Sequence, residues 1–427
     1  MSYLKLCTQV EEFVSASTKL YFIACCFPPF GRGNAITNSC VANLLARRFK
    51  VEVVCMERLD GGVISYQEDE SLVKRLNPNL HIHRVRADSW FGLNTLLYAT
   101  GILPCYFLNW AWRVWRSRDQ IFRKDGVVFA VYPVFSDLLL GFAISRFYKM
   151  PLLIDFRDDF LGVMSSGWRS IFRPYYAYIE RMLVKSAQKI SVTTELLQRD
   201  IVKRYGLSAD QVEVVYNIVP SVPWQNNVDG SLSEKLNVIY AGAMSSVQKP
   251  EVLLKAYAQL RKADEKWSKC LTVDFFGPES PYFQMAIRKW LGEGCNYGGF
   301  LPQEEIAQRV LRADIGFLSL SDTTYAYATP TKLFDYIEAG IPIVAALPLG
   351  ASRQIIEDHQ IGFVVDPDDI AGLAELLKRM VEDENLRRKC CENMQPLREK
   401  FCKDRQIEKW FDMLAAMRSS DYSENLN

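Results

Sequence analysis

The sequence predicts an α/β protein made of two Rossmann-like units on parallel sheets, and three observations lead there. Its 427 residues suit two domains with sizeable cores. Two stretches, one near the start and one just past the middle, each read as buried strand, small-residue turn and helix. Along the remainder, short apolar runs alternate with segments of helical periodicity, the pattern of parallel sheets with crossover helices.

The first opening is Lys19 to Cys26, a short β-prone run that ends in the breakers Phe27-Pro28-Pro29-Phe30-Gly31-Arg32-Gly33. A helix carrying Val41, Leu44 and Leu45 follows, and Val51 to Met56 is the next strand. The second opening is Leu236 to Tyr240, with Ala241-Gly242-Ala243 as its turn and Pro250 to Lys262 as its helix. Further strands are expected at Gly126 to Val131, Pro151 to Phe156, Lys189 to Val192, Leu271 to Phe276, Ile315 to Leu320, Pro342 to Ala346 and Gly362 to Val365. Asn217 to Gly230 concentrates Pro, Asn and Gly without periodicity and reads as a linker. The expected division is therefore 1–216, a linker at 217–235, a second unit at 236–403, and a terminal helix and tail at 404–427. That helix, Asp404 to Arg418, has Ile407, Trp410, Phe411 and Leu414 on one face and suits docking on either unit.

Composition narrows the partners. A net charge of +1 argues against a nucleic-acid binder, whose basic face would normally show in the sum. Eleven cysteines, with adjacent pairs at Cys25-Cys26 and Cys390-Cys391 and no C-x-x-C, suggest neither a disulfide framework nor a zinc site. Lys5, Glu11 and Glu12 interrupt the start where a secretion signal needs an apolar core, so a cytoplasmic location is expected. Trp90 to Trp115 is nearly uncharged, aromatic and followed by Arg116, Arg118, Arg123 and Lys124. Gly92, Gly101 and Pro104 break it, which favours lying on the cytoplasmic face of a membrane over crossing one, with a pair of buried helices as the alternative.

Open sheets bind ligands beyond the carboxyl ends of their strands, so the loops there are the candidate sites. The most informative stretch runs from Ala328 to Pro342. Thr329 suits an N-cap, Pro330 the first helical position and Gly340 the end. Amides at Thr331 and Lys332 would form an anion site, and Lys332 is otherwise misplaced, because a cation in the first turn opposes the macrodipole by roughly 0.3 to 1 kcal/mol. A bound phosphate reverses that sign. Asp335, one turn on and on the same polar side, suits a ribose, while an exposed Lys332–Asp335 pair is the alternative reading.

This stretch resembles the donor-nucleotide segment P-[ST]-K-x-x-[ED]-Y-x-x-x-G-x-P of family 4 glycosyltransferases of the GT-B fold, notably those of bacterial polysaccharide synthesis. Phe27 to Gly33, Asp155-Phe156-Arg157-Asp158, Tyr240 to Lys249, Phe276-Gly277-Pro278, Gly299-Phe300-Leu301-Pro302 and Ala313 to Gly316 resemble further segments of that family, in its order. The resemblance implies two Rossmann-like domains facing across a cleft. It implies transfer of a sugar from a nucleotide-sugar to a glycan or lipid-linked acceptor, with retention of configuration and no obligatory metal or other cofactor. It places Gly31, Gly33, Gly242, Gln248, Lys249, Phe300, Tyr327, Thr331, Lys332 and Asp335 at the donor. Lys332 would stabilise the departing diphosphate, with Arg157 and Asp158 on the acceptor side.

Departures accompany the match. Tyr327 stands where the family has the first of two acids with seven residues between them, the second falling on Asp335; Ala243 stands for its usual Arg, and Pro250 for a Gly. Donor identity is thereby open. Arg157 also reads as half of a structural ion pair with a neighbouring Asp. A nucleotide-sugar epimerase on the same fold and a noncatalytic scaffold for a partner transferase are the rival readings. P-loop, serine-hydrolase and dinucleotide fingerprints are all missing, Ile36 replacing the third glycine of the last. His81 and His83 alternate on one side of an expected strand, and without a third ligand nearby they read as a surface pair, so no metal site is expected.

Overall fold

A computed structural model of the protein describes residues 19–31, 33–57, 67–87, 96–220 and 235–424. Chain contacts divide it into two units, with breaks between Tyr216 and Asn217 and between Arg405 and Gln406; only Asp69–Ser71 crosses this division, counting with the second unit.

The first unit is a seven-stranded parallel sheet in the order β3-β2-β1-β4-β5-β6-β7. Its strands are β1 Lys19–Ile23, β2 Lys50–Met56, β3 His81–Val85, β4 Gly126–Tyr132, β5 Leu152–Phe156, β6 Lys189–Val192 and β7 Val212–Val214. The second unit repeats the pattern over six strands, β10-β9-β8-β11-β12-β13. These are β8 Leu236–Ala241, β9 Leu271–Phe276, β10 Cys295–Tyr297, β11 Ile315–Ser319, β12 Ile343–Ala346 and β13 Gly362–Val365. Central strands such as β4, β5 and β11 are buried along nearly their whole length, which is why they read as unbroken apolar runs. In each sheet the strand order reverses at one place, between β1 and β4 and between β8 and β11. Ligand crevices form at such points.

Helices Glu251–Ala263 and Ile370–Glu382 cover one face of the second sheet, where Leu253, Tyr257, Leu373 and Leu377 pack on Val238, Val273 and Phe317. The last helix, Lys403–Glu424, returns to the first unit. Phe411 packs on Phe49, Trp410 on Phe129, and the Trp410 indole donates to Ser191 Oγ at 3.0 Å. The choice between two docking partners is settled by these contacts.

Edge strands β7 and β10 were not anticipated, because three residues are too few for a strand period to register. Most of the expected linker lies outside the described residues, as do Arg32 and the start of the Trp90 segment. The rest of that segment is divided. Gly101 turns the chain in a left-handed conformation, with no room for a side chain against Phe172, and helix Leu108–Arg116 then buries Trp110 and Val114 while exposing Trp112. No helix among the described residues is long and apolar enough to cross a membrane. All ten described cysteines are free thiols.

Candidate functional site

The second unit builds a site from the loops after β8, β9 and β10 and from helix Thr331–Ala339. Backbone bonds lace the loops together: Gly242 N–H donates to Phe276 O at 2.9 Å, and Gly277 N–H to Gly299 O at 2.8 Å. A Cβ on Gly277 would lie 2.0 Å from Gly242 O, and one on Gly242 would lie 2.6 Å from Lys332 Nζ. Glycine is needed at both because the loops and the ammonium approach so closely.

The helix is seated on the sheet by Tyr336. Its ring fills the space left by Gly316, and its hydroxyl donates to Ile239 O at 3.2 Å and Phe317 O at 3.1 Å. The amino end differs by one residue from expectation. Pro330 occupies the cap position and Thr331 is the first helical residue. Thr329 is buried, its hydroxyl without a partner among the described residues, and no side chain caps the helix. The first-turn amides of Thr331 and Lys332 are thus left for another acceptor. Gly340 ends the helix in the left-handed conformation, as its position suggests.

Lys332 does not lie on an exposed polar face; it is only 6% exposed. Its Nζ sits 4.5 Å from the centroid of the Tyr240 ring, donates to Gln248 Oε1, and lies 3.5 Å from the Tyr240 hydroxyl. That hydroxyl also bonds Gln248 Oε1 at 3.0 Å. Burial pushes the ammonium down to about 7, partly offset by the field of Asp335. Asp335 is half-buried and pushed up to about 7, chiefly by desolvation; Lys332 opposes this and Glu338 adds to it. A cation held in a low-dielectric site by neutral partners, beside free helix amides, is arranged for an anion.

Lys249 takes no part in this cluster. Its backbone is left-handed, and its ammonium pairs with Asp368 at 3.0 Å, leaving the neighbouring Gln248 as the residue that reaches Lys332. Tyr327 is buried in a loop whose Ala326 and Ala328 carbonyls accept from Ala351 N–H and Ser352 Oγ. Phe300 is half-buried beyond Gly299. Tyr240 was missed by sequence reasoning, although its place at the end of β8 before a glycine turn was visible.

In the first unit, Gly31 N–H donates to Gln67 O, and Gly33 opens helix Gly33–Leu45 with open space where a Cβ would be. Arg157 is not at an open mouth; it is 8% exposed. Nε pairs with Asp155 Oδ2 at 2.8 Å and Nη1 donates to Asn38 Oδ1 at 2.8 Å, while buried Nη2 has no partner among the described residues. Asp155 also accepts from Ser191 Oγ at 2.7 Å, and Asn38 donates to Cys26 O at 2.7 Å. The structural ion pair is therefore present, and it ties the loops after β1 and β5 together. Asp158 is half-buried beside it.

Asp137 was also missed. It lies in the first turn of helix Phe135–Tyr148, accepts from Cys25 N–H at 2.9 Å, and has a second oxygen buried without a partner among the described residues. Burial holds its carboxyl well above the usual carboxylate range. A first-turn acid looks like an ordinary helix-end residue in sequence, which concealed it.

Two parallel sheets with the same reversing strand order, one with a buried lysine in the first turn of a helix beside its loops, are the architecture of the GT-B class of glycosyltransferase fold. The structure of HepE from Anabaena in complex with UDP-glucose superposes with a TM-score of 0.65 at 15% identity, covering 93% of this chain and 99% of that one. A family model described as Glycosyl transferases group 1 matches residues 225–395, and one described as Glycosyltransferase Family 4 matches residues 39–221. The chain belongs to this glycosyltransferase family. Among curated relatives, a D-inositol 3-phosphate glycosyltransferase of a Nocardioides species is 24% identical over 227 residues, 49% of each chain. The chain thus spans about half that relative's length. A Campylobacter jejuni enzyme named as an N-acetylgalactosaminyltransferase acting on an undecaprenol-linked glycan is 21% identical over 277 residues, 64% of this chain and 70% of that one.

Proposed function

We propose that the protein transfers a sugar from a nucleotide-sugar, of the uridine type in the first instance, to a glycan or lipid-linked acceptor, with retention and without a metal in the transfer step. The observation that carries this reading is buried Lys332 against the glycine turn at Gly242. When the bond between sugar and diphosphate breaks, negative charge gathers on the departing phosphate. Lys332 and the amides of Thr331 and Lys332 meet that charge from fixed positions, which lowers the barrier because no solvent has to reorganise. Asp335, in its ionised form, accepts the ribose hydroxyls. The uridine preference is supported by the ligand named for HepE, and the lipid-linked acceptor by the name of the Campylobacter relative.

A membrane-facing surface on the first unit belongs to the same proposal. Leu96 and Ile102 are exposed, and so are Trp168, Ile171 and Tyr178. The two stretches are joined by Tyr176 OH to Gly101 O and by Arg169 to Tyr98 O. Exposed Arg173, Arg181 and Lys185 flank the aromatic residues. Apolar side chains with basic neighbours suit the cytoplasmic face of an anionic membrane.

The test is incubation with UDP-, GDP- and ADP-sugars and lipid-linked acceptors, reading nucleoside diphosphate release. Acceptor-dependent release that falls at least about tenfold in Lys332→Ala is expected. Isomerised donor would indicate an epimerase, and binding without turnover a scaffold.

A further inference from the structure

The parallel register of the first sheet sets Tyr21, Glu52 and His81 in one row across β1, β2 and β3. His83, two residues beyond His81, presents its ring on the same face. Glu52 Oε2 lies 2.5 Å from His81 Nδ1 and 2.8 Å from His83 Nε2, and the two ring nitrogens are 3.1 Å apart. The rings meet edge to face with centroids 4.5 Å apart. The third ligand missing from the histidine pair in sequence comes from the neighbouring strand, 29 residues earlier.

We infer that Glu52, His81 and His83 form a binding site for a divalent transition metal of the zinc class. Two imidazoles and a carboxylate are the donor set such ions favour, whereas magnesium and calcium prefer oxygen alone. Bonds of about 2.0–2.1 Å in a tetrahedron place ligand atoms roughly 3.3 Å apart. The two nitrogens stand near that spacing already, and the carboxylate oxygen reaches it by a small outward swing. Burial is graded in a way that leaves an entry path: the side-chain exposure is 9% for Glu52, 18% for His83 and 66% for His81. Water would complete the coordination on the His81 side.

The site's place assigns its role. Glu52 and His81 lie toward the amino ends of their strands, opposite to the loops that carry Gly31 and Arg157, so the ion takes no part in sugar transfer. β3 is an edge strand, bonded to β2 alone among the described strands. A metal held by one ligand from β2 and two from β3 clamps that edge to the sheet.

The experiment uses the untagged full chain, stripped with chelator and dialysed against zinc or cobalt. One zinc per chain is expected, with a cobalt spectrum of nitrogen and oxygen ligands and slower amide exchange in β3 on metal binding. His81→Ala, which removes the most exposed ligand and leaves the fold intact, should weaken zinc binding by at least about tenfold; Glu52→Gln should do the same, and His359→Ala should change nothing. Failure to retain zinc, retention unchanged in His81→Ala, or a thiolate-to-cobalt charge-transfer band would overturn the assignment.

Discussion

Burial of Lys332 makes donor affinity depend on pH in a direction that can be worked out. With the ammonium pushed to about 7, the free protein carries the charge on about nine tenths of molecules at pH 6 and about one tenth at pH 8. If only the charged form holds the diphosphate, this group taken alone lowers affinity for a nucleotide-sugar about tenfold between those values. A nucleotide-sugar is the right probe because its diphosphate is esterified at both ends and does not titrate in this range. Asp335 also titrates near 7, so two variants separate the sources. Ionised Asp335 holds the ribose and opposes the fall, so Asp335→Asn should expose it, affinity dropping at least about tenfold from pH 6 to 8, and Lys332→Ala should reverse the trend at low affinity. Above neutrality, binding should also take up a proton, seen by calorimetry in buffers of different ionisation enthalpy. Stability follows opposite signs for the two groups. The depressed Lys332 value means the unfolded state holds the extra proton above about pH 7, so its contribution improves as pH rises from there toward the ordinary lysine range. The raised Asp335 value makes its contribution worsen as pH climbs from the ordinary aspartate range to about 7. Flat affinity from pH 6 to 8 in Asp335→Asn, or a fall with pH that persists in Lys332→Ala, would refute the assignment of Lys332 to the donor phosphate.

Other outcomes follow from the same geometry. Gly242→Ala should weaken nucleotide binding at least about tenfold with a modest loss of stability, because the lysine end yields before the backbone does, measured by calorimetry and thermal unfolding. Gly277→Ala meets a carbonyl rather than a flexible chain and should cost more stability, about 1–3 kcal/mol or above, in denaturant titration. Arg157→Ala should destabilise the protein by about 3–5 kcal/mol, since Asp155 is left buried and uncompensated; loss of transfer with unchanged stability would instead favour a direct acceptor contact. Replacing Trp168, Ile171 and Tyr178 by Ser should reduce binding to anionic liposomes, and binding by the wild-type chain should fall with added salt.

The two sheets were legible because a buried parallel strand needs an apolar run and a turn, and both survive in a one-dimensional reading. Leu271–Phe276 and Gly362–Val365 match their expected limits for this reason. Helix Thr331–Ala339 was legible as punctuation, from Pro330 to Gly340, but the burial of Lys332 was not. Helical spacing gives the face of a residue, whereas the depth of Lys332 is set by Tyr240 and Gln248, which arrive from another strand and its loop. Arg157 failed in the same way. Its position after a strand was right, and its engagement with Asn38, 119 residues away, had no local signal. Glu52 and the histidines show the converse, a pairing that register alone creates.

The return of the last helix to the first unit has a consequence for synthesis. Residues from Asn217 to Arg405 form nearly all of the second unit and leave the ribosome as one continuous stretch, whereas the first sheet waits for Gln406 onward to cover Phe49, Phe129 and Ser191. Nascent domains generally fold in the order they emerge. Here the later unit can complete its core first, and the earlier one stays exposed on Phe129 and Phe49 for the time needed to translate the second, a window in which a chaperone has apolar surface to hold.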